Sequence, residues 1–227
     1  MRSFLKLFFI AAVLFSLAPS SDPSADLGGW KNQGVTAGVK IFTKKLDNYD
    51  LVSVRGETII DASPDTILGI MKENQIAHEW MPYVEEKRDI KMLGKSERLE
   101  FTKVNIPWPV TDRYFFNTGK ISVLEDGSYF IEVESAKTKP FEVPGAILGH
   151  LHYSKFLIKP IEGGQRSFMT AEVNADPKGW LPHWLTDFAQ QRWPVQFFGG
   201  IQEMVEKYGT QFNLPPGSIE EPTAVSH

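Results

Sequence analysis

An α+β fold, in which a curved antiparallel sheet wraps around one long C-terminal helix, is predicted by three observations. The middle of the 227-residue chain carries β-branched runs separated by turn pairs. The Asp126-Gly127 and Gly163-Gly164 pairs are hairpin signals and make the sheet antiparallel. The chain then closes on Leu181, Trp184, Phe188, Val195, Phe198, Ile201, Val205 and Tyr208, mostly three or four residues apart, which form one apolar helical face. A sheet followed by one strongly apolar helix buries both by curling the sheet over the helix, and the space between them either fills or remains a cavity.

In order along the chain, Val39 to Phe42 and Leu51 to Ile60 are strands turned at Asp47-Asn48. Ser63 then caps a helix from Pro64 to about Glu73, with Pro at its first position and Ile67, Leu68 and Met71 at helical spacing. A short helical turn from Ile76 to Trp80 stops at Pro82. Further strands are predicted at Val84 to Met92, Glu97 to Val104, Arg113 to Val123, Ser128 to Ser135, Leu151 to Lys159 and Ser167 to Ala175. The final helix runs from about Pro182 to Tyr208, with a kink expected at Pro194.

Residues 7–18 form an apolar run behind Arg2 and Lys6, too short for the ~20 residues of a membrane span, and small residues follow at Ala18 to Ser20. This reads as a signal peptide over residues 1–20, with an uncleaved anchor as the alternative. Both place the domain outside the cytoplasm, secreted or periplasmic. Its loss removes Arg2 and Lys6 and leaves 22 basic against 28 acidic residues, a net charge of −6 that argues against nucleic acid as a partner. The absence of Cys excludes a disulfide framework, Cys-ligated zinc and thiol catalysis. With no repeat and no internal linker, one domain is expected over residues 30–208, followed by a flexible tail at 209–227.

Three segments resemble the START (StAR-related lipid transfer) family: His78-Glu79-Trp80, the stretch Ile106-Pro107-Trp108-Pro109-Val110-Thr111-Asp112-Arg113, and Asp176-Pro177-Lys178-Gly179-Trp180-Leu181-Pro182-His183-Trp184. The second is similar to the family's P-x-P-V-x-D-R element and the third to its D-x-x-G-x-(L/I)-P lead into the last helix. The resemblance implies the helix-grip fold enclosing a hydrophobic cavity, and a protein that binds and transfers or sequesters a lipid or other hydrophobic molecule without a cofactor. Ungapped counting from the P-x-P-V element places the family's cavity acid on Glu100 and its Arg partner on Gly119, so the acid is kept and the base is absent.

The expected ligand-binding residues are Glu100, Trp108, Arg113, Trp184, Phe188, Val195 and Phe198, and no catalytic or metal residue is assigned. Glu100 alternates with Leu99 and Phe101, so it faces either the cavity or solvent according to which strand face is inside. Arg113 either fixes its loop through an ion pair with Asp112 or meets the ligand. His150 and His152 share a strand face, with no third ligand indicated by spacing. Gly199-Gly200 reads as close helix packing. Trp80 and Trp180 read as core, whereas Trp108 between two prolines suits transient contact with a membrane surface. A monomer is favoured over an oligomer. The rival function is an aromatase- or cyclase-like enzyme on the same fold, using Glu100, Arg113 and Tyr114, and a ligand sensor docking on a protein partner is a third reading.

Overall fold

A computed structural model describes residues 29–45, 52–182, 191–215 and 218–219. Within them the order is β1 (Lys31–Thr36), β2 (Val39–Lys45), β3 (Val52–Ile60), α1 (Pro64–Lys72), a 3-10 turn (Asn74–Ile76), α2 (Ala77–Trp80) and β4 (Val84–Met92). There follow β5 (Glu97–Val104), β6 (Asp112–Val123), β7 (Tyr129–Ser135), β8 (Ala146–Leu148), β9 (His150–Ile161), β10 (Arg166–Asp176) and α3 (Trp193–Tyr208). The strands form one ten-stranded sheet in the order β1-β2-β3-β10-β9-β7-β6-β5-β4, with β8 beside β6. All pairs on the main path are antiparallel and β6–β8 alone is parallel. The sheet is open, with β1 and β4 at its two edges.

The predicted hairpin, first helix and six central strands are present. Two strands were not expected. β1 is exposed along its whole length and contains Gly34, so it lacks the alternation by which a strand is recognised. β8 has three residues. The turn at Asp47-Asn48 lies outside the described residues, as do residues 183–190, where the final helix was expected to begin. Pro194 occupies the first turn of α3, where a missing N–H costs nothing, so it opens the described helix.

Local chemistry sets the helices in place. The Ser63 hydroxyl accepts from the Thr66 amide at 3.2 Å and caps α1. Two glycines then allow close approach: a Cβ on Gly69 would lie 1.7 Å from the Phe212 carbonyl oxygen, and one on Gly200 2.4 Å from that of Trp80. Gly200 therefore lets α3 sit on α2, while nothing crowds Gly199. The main core is filled by Leu68 and Ile70 of α1, Ile158 and Met169 of the sheet, and Phe197, Phe198, Ile201 and Met204 of α3.

The opposite face of β5 and β6 carries a separate apolar cluster. Leu99, Phe101, Tyr114 and Phe116 are covered there by Phe141 and Val143 from the chain before β8 and by Ala146 at its start. Phe116 and Phe141 meet edge to face at 4.8 Å. These two strands are thus buried on both faces.

Candidate functional site

Between the sheet's inner face and the three helices lies a cavity of about 400 Å³, within the range of small-molecule sites. Its wall is mostly aliphatic and aromatic. Val52, Val54, Ile121, Ile131, Val133 and Phe156 come from the sheet, Leu68 and Met71 from α1, Trp80 from α2, and Trp193 and Phe197 from α3. Phe197 is the hinge between core and cavity: it stacks on Phe156 at 5.4 Å and Trp193 at 5.0 Å and meets Trp80 edge-on at 5.5 Å.

Period-2 geometry decides what β5 and β6 contribute. Arg98, Glu100, Thr102 and Val104 of β5, and Arg113, Phe115, Asn117, Gly119 and Ile121 of β6, face the cavity. Leu99, Phe101, Tyr114 and Phe116 face the outer cluster. Glu100 is therefore inside, at 5% exposure. Its Oε1 pairs with Lys87 Nζ at 3.4 Å and with Arg98 Nε. The Lys87 ammonium also donates to Asn74 Oδ1 at 3.0 Å, and Asn74 Nδ2 donates to Asp89 Oδ1 at 3.0 Å. Burial pushes the Lys87 amine below its ordinary pKa, a drop that Glu100 opposes. A Cβ on Gly119 would sit 3.8 Å from the Glu100 carboxyl, so the missing base on β6 is supplied by Lys87 on β4 and Arg98 on Glu100's own strand.

Arg113 is almost wholly buried and holds the rim together. Its Nε donates to the Pro177 carbonyl at 3.0 Å, Nη2 to Lys178 at 2.8 Å and Trp180 at 3.3 Å, and Nη1 to Thr111. The expected partner Asp112 is turned elsewhere, accepting from the Ile106 amide at 3.2 Å and facing Lys103 at 3.8 Å. A planar guanidinium can serve carbonyls on two loops at once, which a single ion pair would not do. Gly179, at φ +71°, makes the turn that presents these carbonyls, and a Cβ there would touch Ile147 at 3.0 Å.

The remaining expected residues separate. Trp108 is 91% exposed, on a loop pinned by buried Ile106 and Val110, and lies outside the cavity wall. Trp180, expected in the core, is 68% exposed on the loop that Arg113 grips. Leu148, on β8 where it pairs with Tyr114 of β6, is exposed as well. Phe198 lies one residue beyond the cavity-lining Phe197, pressed on β3 where a Cβ at Gly56 would come within 2.6 Å of its ring. Val195 is half-buried against the main core and also lies outside the wall. Trp184 and Phe188 lie outside the described residues. Tyr114, the enzyme reading's third candidate, faces the outer cluster and not the cavity. The rings of His150 and His152 meet edge-on at 4.6 Å, and among the described residues no cluster of three His, Asp or Glu forms.

Sequence reasoning missed Lys72, Lys87 and Arg98. The clue was present in the same alternation that left Glu100 undecided: an inward Glu100 takes Arg98 with it, two residues away on one strand face. Lys87 belongs to a strand whose other residues are largely exposed, so nothing local marks it.

A family model described as START domain matches residues 21–198. An uncharacterized protein of Pseudomonas aeruginosa is 24% identical over 207 residues, covering 91% of this chain and 100% of that one. Among solved structures, human StAR-related lipid transfer protein 5 superposes with a TM-score of 0.72 at 18% identity, covering 82% of this chain and 90% of its own. A STAR-related lipid transfer protein from Xanthomonas axonopodis gives 0.69 at 20% identity, with 78% and 99% covered. At these identities the structural likenesses establish the fold.

Proposed function

The chain belongs to the START domain family, and on that premise we propose that it binds one lipid or other hydrophobic small molecule and carries or sequesters it outside the cytoplasm. The observation that carries the reading is the cavity of about 400 Å³ with an apolar wall between sheet and helices. Each buried methylene contributes about 0.8 kcal/mol, so a dozen give roughly 10 kcal/mol against the costs of association. No proton transfer or bond cleavage is needed for that. The lipid-transfer names of the two similar structures support the same reading.

The rim supports contact with a membrane surface. Trp108, Leu148 and Trp180 are exposed on three segments that meet around Arg113 and Gly179. Amphipathic indoles favour the interface between headgroups and acyl chains, and a rim seated there would let a ligand pass without crossing water. The apolar run near the N-terminus supports export.

Native mass spectrometry of the full chain recovered from its own compartment tests the reading. The expected spectrum shows a protein that begins just after Ser20 and carries one unmodified lipid. Protein that stays ligand-free after incubation with extracted lipids would overturn binding. A chemically altered product would favour the enzyme, and an intact membrane-embedded chain starting at Met1 would replace the exported carrier with a tethered domain.

A further inference from the structure

The charged end of the cavity is not electrically balanced. Lys72, Lys87 and Arg98 gather there against Asp89 and Glu100. Glu100 is already paired with Lys87 and Arg98, and Asp89 is engaged by Asn74 and by Arg98 at 3.6 Å. Lys72 remains. It stands in the last turn of α1, half-buried, and lines the cavity. Among the described residues no carboxylate lies within ion-pairing distance of its ammonium. Burial and the neighbouring Arg98 lower its pKa, against a smaller opposite effect of Asp89, so its charged form is not fully compensated by the protein's own described groups.

We propose that the cavity takes an amphiphile with an oxyanion head, a carboxylate or phosphate, which Lys72 binds beside Arg98 while the hydrocarbon chain lies along the apolar wall. This rests on the lipid-binding reading and narrows it to a class of ligand. A neutral hydroxyl gives the site no charge to balance Lys72. An oxyanion does, and a charge-assisted hydrogen bond in a partly desolvated site is about twice as strong as a neutral one. Glu100 has a separate role: with Lys87 and Arg98 it forms a fixed ion cluster that keeps the two cations in place, and Gly119 leaves space beside its carboxyl.

The test is equilibrium dialysis of the full chain with palmitate, palmitoyl lysophosphatidate, hexadecanol and methyl palmitate, with acetate and inorganic phosphate as tail-free competitors. Palmitate and the lysophosphatidate are expected to bind at least about 10-fold tighter than the alcohol and the ester. Lys72→Met should bring palmitate down to the level of the ester, leave the ester unchanged, and keep or raise the urea midpoint, because no ion pair is broken and a partly desolvated charge is removed. Lys72→Arg should keep the preference. Acetate and phosphate should not displace palmitate. Equal affinity for all four lipids, or a uniform loss in Lys72→Met, would overturn the oxyanion assignment and leave lipid binding standing. Displacement by acetate or phosphate at the lipid's own concentration would replace the amphiphile with a free anion. Failure of all four lipids to bind, while an extracted lipid of another class co-purifies, would overturn this assignment alone; failure of every lipid would remove the binding reading itself.

Discussion

Arg113 shows how one side chain on the cavity wall can hold the rim together. Its guanidinium serves four carbonyls on two loops, and each such charged hydrogen bond is worth about 1.5–3 kcal/mol when well formed. Lysine keeps the charge but concentrates it at one point, so Arg113→Lys should leave some of these buried carbonyls unpaired. The expected cost is about 2–4 kcal/mol in urea unfolding, with faster proteolysis within residues 177–182 and faster ligand release. An unchanged urea midpoint with altered ligand preference would mean that Arg113 reads the ligand directly.

Helix phase makes the corresponding distinction at the level of the element. Phe197 and Phe198 are adjacent in α3 and equally buried, yet Phe197 lines the cavity and Phe198 packs on the β3 backbone at Gly56. Truncating either to Ala should cost about 3–5 kcal/mol. Only Phe197→Ala should shift ligand preference toward bulkier lipids, since only its missing ring adds volume to the site. Matched stability losses with unchanged preference in both variants, read by urea unfolding and a lipid panel, would show that α3 contributes packing alone. β5 and β6 present a similar pair of faces, and alternation was a poor guide there because both faces are covered, the inner one of β5 even though it carries Arg98, Glu100 and Thr102. The outer cover came from Phe141 and Val143 in an irregular segment, and no local pattern announces that such a segment will lie against β5.

Across the whole molecule, the proposed function divides docking, at the exposed tryptophans, from holding, in the cavity. Trp108→Ser removes an indole that is 91% exposed and does not line the cavity, so lipid binding in solution should be unchanged. Transfer of a fluorescent lipid between vesicles should slow several-fold, because the rim loses interfacial affinity. Equal transfer by wild type and variant would place the membrane contact elsewhere.

The sequence by itself determined the first helix and the order of the central strands, the antiparallel hairpins, the START resemblance and the two rim motifs, because turns, caps and proline loops are written in neighbouring residues. It also singled out Glu100 and Arg113 before either had a surrounding. Only the tertiary structure decided that Glu100 faces inward, that its bases are Lys87 and Arg98, that Lys72 has no carboxylate partner among the described residues, and that Phe197 and not Phe198 lines the site. Each of those outcomes depends on which face of a strand or helix another part of the chain covers. Burial and charge pairing are properties of residues brought together from distant positions, and a local pattern records only that a face exists.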